Sequence, residues 1–356
     1  MPRIIGLETA VPPHRVTQET AKAFARKLFS SAKIDIERML PVFDHTQIKT
    51  RHFCVPPEWF DREHSFAEKN ETYCRFAIEL SRTVISHLLQ RCNVPANRID
   101  HIFFISTTGF STPSIDAYLF NLLDFSENIR RTPIWGLGCA GGVAGINRAA
   151  DWLRGHPESL ALVVAVELCG LTFIRNDLSK SNFVATSLFA DGCGAALLAG
   201  DAFADAAGRQ LAIEAGTSVT WKDSLRMMGW QFNNSGLKVI FSKSIPQIVQ
   251  ASARPGIEAF LQRHGRSLEE IDFFLSHPGG AKVIEAYQRA LNLEDRSVEL
   301  MRGVLRDYGN MSSATVFFVL QRFWQSPLFQ HGKTVLSTAL GPGFSSEMFL
   351  ATCVDQ

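Results

Sequence analysis

The run Leu160-Ala-Leu-Val-Val-Ala-Val166 constrains this chain more than any other segment. It has no polar break, so it fits a strand buried on both faces, and such a strand needs a layer of structure on each side. Residues 102–105, 194–198, 273–275 and 334–336 read as strands of the same kind, and 107–113 as a polar turn. Between them the apolar spacing predicts helices over 72–89, 145–154, 257–264, 281–291 and 314–324. This alternation predicts an α/β layered fold with largely parallel sheets.

With 356 residues the chain suits two domains or one duplicated domain rather than a single ordinary core. The small and polar stretch 201–210 is the expected hinge, dividing the chain into 1–210 and 211–356. The two halves share a similar element order and no short-period repeat. Net charge is +1, which favours neither a nucleic-acid nor a membrane partner. Glu8 interrupts the N-terminus before an apolar signal region forms, and no apolar run approaches a bilayer span, so no integral membrane segment is expected. The seven cysteines (Cys54, Cys74, Cys92, Cys139, Cys169, Cys193 and Cys353) form no CxxC pair. That spacing indicates neither a zinc framework nor a disulfide scaffold, and the chain reads as cytoplasmic with reduced thiols.

Three segments carry chemistry-bearing residues among small ones. In Gly136-Leu-Gly-Cys139-Ala-Gly-Gly142 the glycines allow a tight elbow, and an Ala/Gly-rich helix follows. A cysteine at a buried helix N-terminus is expected to have a lowered pKa; the other reading is a packed glycine turn with an incidental cysteine. In Phe273-Phe-Leu-Ser-His277-Pro-Gly-Gly280 a histidine follows directly on an apolar strand, a place where α/β folds put functional groups. A hydrogen-bonded core histidine would look the same. In Tyr308-Gly-Asn310-Met-Ser-Ser313 the asparagine opens an apolar helix, either as its N-cap or with its amide aimed into a site.

Taken together, the three residues form a set with a shared purpose. A thiolate beside a histidinium is an activated acyl-transfer nucleophile. Neutral histidine and asparagine N–H groups can hold an oxyanion or enolate, which is what decarboxylation of a malonyl thioester requires.

The strings GCAGG at Cys139, SHPGGAKV at His277, YGNMSSA at Asn310 and ALGPGFSSEM near the C-terminus resemble the type III polyketide synthases, the chalcone-synthase-like enzymes of the thiolase superfamily. The resemblance runs nearly end to end. It implies a homodimer of thiolase-like, five-layered αβαβα subunits built from two duplicated halves. It also implies a cycle in which Cys139 takes a starter from an acyl-CoA, His277 and Asn310 promote decarboxylation of malonyl-CoA, and the enolate attacks the acyl-enzyme. Coenzyme A thioesters are then substrates, and no metal or organic cofactor is implied.

Further positions carry over singly from the resemblance. Phe189 matches the phenylalanine where the coenzyme A tunnel meets the cavity, with a plain core aromatic as the other reading. Thr107, Cys169, Thr172 and Ser312 match cavity-lining positions. Val239 stands where plant enzymes have a second gating phenylalanine, and Trp230 falls near a glycine of the plant pattern. Thr112 matches a residue that reaches into the partner's cavity. Lys49 and Arg51 are candidates for the coenzyme A phosphates, ordinary surface charge being the alternative. The strings at 223–230, 236–239 and 166–169 look more like the bacterial branch, which implies a long fatty acyl starter and an alkylpyrone or alkylresorcinol product.

The nearest rival is a ketoacyl synthase of the third type, which condenses once and prefers an acyl carrier protein; HPGG and GPGF argue against it. A degradative thiolase needs a second cysteine in the C-terminal glycine loop, where this chain has Phe344. A papain-like cysteine hydrolase also orders Cys, His and Asn, but with a secretory context that is missing here. A non-catalytic acyl-binding scaffold would not explain three polar groups in glycine-rich elbows.

Overall fold

The apolar run at 160–166 forms most of the strand Leu160–Leu168, in which every residue is buried. It lies within a computed structural model that describes residues 1–31, 35–204 and 208–355. The first half contains β1 (Arg3–Ala10), β2 (His14–Thr17), α1 (Gln18–Leu28), α2 (Ile36–Met39), α3 (Pro41–His45), β3 (Thr50–Phe53) and α4 (Phe66–Arg91). It continues with β4 (His101–Ile105), α5 (Ile115–Leu122), β5 (Arg130–Ile134), α6 (Gly141–Arg154), β6 (Leu160–Leu168), α7 (Lys180–Leu188) and β7 (Asp191–Ala199). The second half contains β8 (Arg209–Thr220), β9 (Met228–Asn233), β10 (Gly236–Phe241), α8 (Ile245–Arg263), β11 (Phe273–Ser276) and α9 (Ala281–Leu291). It ends with α10 (Asp295–Tyr308), α11 (Thr315–Gln325), β12 (Thr334–Gly341) and β13 (Ser345–Asp355). The expected hinge falls partly on 205–207, outside the described residues; β8 opens at Arg209, just inside the first half as drawn from the sequence.

Nine strands run in the order β11-β12-β13-β8-β1-β7-β6-β4-β5. Among the described residues the β1–β8 ladder spans Arg3↔Ala212 and Ile4↔Leu211, so the array is two sheets linked by a narrow seam. Helices α4 and α5 pack on the first sheet, while α6 and α11 contact strands of both. On the far side, Ile248 and Val249 of α8 and Tyr287 of α9 face Thr338, Leu340 and Met348 of the second sheet. The layers therefore alternate helix, sheet, helix, sheet, helix. Local sequence explains the helices. Ser65 caps α4 by accepting from the Glu68 N–H, and Tyr73, Ala77, Ser81, Val84 and Leu88 give it one buried stripe. The inner helix α6 is buried from Gly141 through Asn147, as a helix between two sheets must be.

The expectation of largely parallel sheets is corrected. Among the described residues, β4–β5, β4–β6 and β11–β12 are the parallel pairs. Strand pairs β6–β7, β7–β1, β8–β13 and β12–β13 are antiparallel. A continuous apolar run reports burial on both faces, and in a five-layer stack antiparallel strands are buried on both faces too. Among the described residues no helix is long and apolar enough to cross a membrane.

Candidate active site

The Cys139 elbow follows the edge strand β5. Gly136 and Gly138 both take positive φ, and a single 3-10 turn, Gly138–Ala140, feeds into α6. The turn packs on the C-terminal glycine loop: a Cβ on Gly138 would lie 2.6 Å from Pro342. His277 follows the last residue of β11, and its N–H donates to the Thr338 carbonyl at 2.8 Å. Asn310 sits between α10 and α11. Its backbone extends the chain beside Phe189, with the Asn310 N–H on the Leu188 carbonyl and the Ala190 N–H on the Asn310 carbonyl.

These elements converge on one buried spot. Cys139 Sγ lies 3.6 Å from Ser312 Oγ, and Ser312 holds a positive φ of 49° to place it there. Asn310 Oδ1 accepts from the Ser312 N–H at 2.8 Å, while Asn310 Nδ2 donates to the Gly279 carbonyl at 3.0 Å. That carbonyl belongs to the turn after His277. Asn310 therefore caps its own turn and also fixes the orientation of its amide, which presents its second Nδ2 hydrogen to Cys139. Cys139, His277 and Asn310 are 7%, 4% and 1% exposed. Both ring nitrogens of His277 are buried with no hydrogen-bond partner. A buried group left unpaired in this way is costly, and active sites are where such cost is retained.

The expected lowered pKa of Cys139 is corrected. Burial pushes its thiol up to about 12; the Ser312 hydrogen bond pulls it down, the Glu167 charge raises it, and the Asn310 amide pulls it down. Burial also lowers His277 to about 3. One turn of helix dipole does not offset full desolvation, so each group on its own rests neutral. Burial opposes a charge on either group alone.

The other predicted residues divide into groups. Cys169, Thr172, Phe189 and Val239 line a largely apolar cavity together with Phe24, Phe53, Phe60, Phe173 and Leu237. Trp230 faces Val239 across the β9–β10 hairpin, and its ring lies 6.3 Å from that of Phe189. Ser312 touches Cys139 rather than the cavity wall. Thr107 is committed elsewhere: its N–H and hydroxyl both donate to Glu167. Thr112 is exposed, on the rim of a separate hollow with Phe110 and Trp135.

Lys49 is exposed, but Arg51 is not at the surface. Its guanidinium is buried beneath Phe189, donating to that carbonyl at 2.8 Å beside Asp191, so Arg51 is withdrawn as a coenzyme A phosphate ligand.

Glu167 was missed. It is fully buried and accepts from Thr107, from the Thr108 hydroxyl at 2.9 Å and from the Ser313 hydroxyl at 2.5 Å. Burial raises its pKa against those bonds. It ties the turn after β4 and the turn before α11 to β6, directly behind Cys139. An acid inside an otherwise apolar strand was the available signal, because a carboxylate is buried only where donors await it.

Comparison with known proteins agrees with this geometry. The N-terminal domain of chalcone and stilbene synthases matches residues 2–202 and the C-terminal domain matches 219–355. A putative chalcone synthase of Bacillus subtilis is 42% identical, over 98% of this chain and 97% of the relative. An alpha-pyrone synthesis polyketide synthase-like protein of Mycobacterium tuberculosis is 28% identical, over 98% of this chain and 90% of its own. The crystal structure of 1,3,6,8-tetrahydroxynaphthalene synthase from Streptomyces coelicolor, a bacterial type III polyketide synthase, superposes with a TM-score of 0.92 at 29% identity, covering 98% of both chains. Both domains being matched along nearly the whole chain, the protein belongs to the chalcone and stilbene synthase family: it is a type III polyketide synthase with the thiolase-like fold, an acyltransferase that joins coenzyme A thioesters by decarboxylative Claisen condensation.

Proposed function

We propose that this enzyme loads a long-chain fatty acyl group from its coenzyme A thioester onto Cys139. It then extends that group with two or more malonyl units and closes the product to an alkylpyrone or alkylresorcinol. The observation that carries the reading is the cavity at Cys169, Phe189 and Val239, whose walls are mostly aromatic and aliphatic. Val239 in place of a bulkier aromatic leaves room there, and an alkyl chain gains roughly 0.8 kcal/mol for each methylene it buries. The Mycobacterium tuberculosis relative, described as an alpha-pyrone enzyme, supports the product class.

In this mechanism the Cys139 thiol gives its proton to His277 as sulfur attacks the thioester carbonyl, and coenzyme A departs with that proton. Malonyl-CoA then places its thioester oxygen between the neutral His277 N–H and the second Asn310 amide hydrogen. Carbon dioxide leaves, and the bond electrons form an enolate held by those two donors. The enolate carbon attacks the acyl-enzyme carbonyl and the Cys139 thiolate leaves. The chemistry calls for donors alone, so the reading includes no resident metal or organic cofactor. Lys49 stays a candidate for a coenzyme A phosphate.

The reading also includes a cytoplasmic homodimer with Thr112 at the contact. Trp135 and Phe232 are large and exposed, and their rings form a cluster with Phe110 close to Thr112. Exposed aromatic groups of this kind mark association surfaces. Incubation with malonyl-CoA and a ladder of acyl-CoA starters, read by mass spectrometry beside Cys139→Ala, tests the whole reading. Pyrones or resorcinols from lauroyl- and palmitoyl-CoA, absent in the variant, are expected. Products from small starters alone would remove the fatty acyl assignment, and products of a single extension would remove the chain-extending one.

A further inference from the structure

Part of the cavity wall is a hairpin that the main sheet does not fix. Strands β9 and β10 pair only with each other, forming a two-stranded hairpin apart from the nine-stranded array. Such a hairpin is marginal by itself and needs outside support. Yet β10 supplies Leu237, Lys238 and Val239 to the cavity lining. Opposite them stand Thr172, Phe173 and Asp177 from the segment between β6 and α7. The width of the cavity at this seam depends on what holds the two sides together.

Two polar ties cross it. Lys69, on the long helix α4, is 7% exposed, and its ammonium donates to the Phe173 carbonyl at 2.7 Å and the Ser235 carbonyl at 3.3 Å. One buried cation thus grips the hairpin turn and the opposite wall at once, from a helix packed on the first sheet. At the other end of the seam, Lys238 Nζ lies 3.4 Å from Asp177 Oδ1, with the Asp177 side chain 11% exposed. Asp177 is anchored in turn, accepting from the Ser179 N–H at Oδ1. The Lys69 tie is a charge-assisted contact shielded from bulk water, whereas the Lys238 side chain is 37% exposed and its pair with Asp177 is the weaker hold.

We propose that Lys69 and the Asp177–Lys238 pair clamp the β9–β10 hairpin over the cavity and so set the longest starter acyl chain the enzyme takes. The proposal rests on the fatty acyl reading above and adds residues that act by positioning a wall, away from the reacting atoms. A chain that outgrows the cavity must spread this seam, and the ties resist it. This wall can adjust because no strand ladder joins it to the nine-stranded array.

The test uses the full-length enzyme and three variants: K69M, K238M and the charge-exchanged double variant D177K/K238D. Each is run on acyl-CoA starters of increasing length with malonyl-CoA, and amide hydrogen exchange is followed over 228–241 without substrate. K69M and K238M are expected to exchange faster across the hairpin and to move the preferred starter toward longer chains, with KM for the longest starters falling several-fold relative to the shortest. The charge-exchanged variant should return toward the wild-type length profile, which a merely misfolded wall would not do. Unchanged exchange in both lysine variants overturns the clamp. Faster exchange with the wild-type length profile overturns its role in chain length while leaving the fatty acyl reading intact. A wild-type enzyme that turns over no fatty starter removes that reading, and this proposal with it.

Discussion

The sequence offers a cysteine and a histidine as candidate reactive partners, and their resting charge is not legible in it. Glycines around Cys139 and the strand end before His277 are local patterns, whereas desolvation is set by everything packed around them. With Cys139 held up to about 12 and His277 down to about 3, a neutral pair is the resting state unless the proton transfer within it is favourable. The sign of the stability effect follows. His277 has a folded pKa far below its ordinary 6.5, so stability is full above pH 6.5 and is lost as pH falls toward 3. The loss is roughly 1.4 kcal/mol per pH unit for that one group. Urea unfolding at pH 7 and pH 5 should therefore show wild type losing more stability than His277→Gln. Equal losses would mean that the folded site keeps an imidazolium, which in this cavity requires a Cys139 thiolate. Glu167 shows where a residue-level reading ran out. It was read as part of a family-like string, although a lone acid in an apolar strand already implies waiting donors. Glu167→Ala would strand the Thr107, Thr108 and Ser313 donors and is expected to cost about 3 kcal/mol or more, seen as a lower midpoint in the same unfolding experiment.

Elements were legible wherever their period was clear, and obscure where burial came from distant partners. Helix α9 was bounded correctly at Ala281–Leu291, since one apolar stripe and a following Asn in the left-handed conformation define it locally. The edge strand Arg130–Ile134 was not seen, because its Arg-Arg-Thr-Pro-Ile sequence has neither alternation nor an apolar run. The long strand Arg209–Thr220 was missed because its burial fades along its length. What matters for the site is that α6 and α11 begin against one another. A Cβ on Gly142 would lie 2.3 Å from the Ser313 carbonyl oxygen and 2.7 Å from Val316. Neither is the yielding tip of a long side chain, so Gly142→Ala must push the two helix starts apart and draw Ser312 away from Cys139. Overpacking of this sort costs about 1–3 kcal/mol. The variant should melt lower and lose most of its acyl loading, measured by intact mass after incubation with an acyl-CoA. Full loading at wild-type rate would show that the close approach does not position the thiol.

At the scale of the molecule, the duplication faintly visible in the element order becomes plain in the pairing. In the first sheet β4 and β6 are parallel, β6 and β7 antiparallel, and β7 and β1 antiparallel. In the second, β11 and β12 are parallel, β12 and β13 antiparallel, and β13 and β8 antiparallel. Helix α6 precedes β6 as α11 precedes β12. Cys139 thus leads into one inner helix, and Asn310 and Ser312 lead into its counterpart, so the site lies where two equivalent corners meet. Sequence comparison of the halves could not show this, because strand pairing is conserved by geometry that many residues satisfy. The same arrangement predicts how the halves depend on each other. The seam between the sheets is two residue pairs long, far too little to hold them. The contact that counts is the inner layer, where α6 touches β12 and β13 of the other half and α11 touches β1 and β7. Separated, each half would expose the buried surface of an inner helix, Gly141 to Asn147 in α6 and Thr315 to Leu320 in α11, together with one face of its sheet. Neither half then has a complete core. Fragments 1–204 and 208–356 expressed apart should be insoluble or unfolded by circular dichroism. Co-expressed, they should assemble into a species with acyl-transfer activity that unfolds in a single transition by fluorescence and circular dichroism alike. An independently folded 1–204 fragment with a sharp melting transition would show instead that the inner helix layer joins two finished domains.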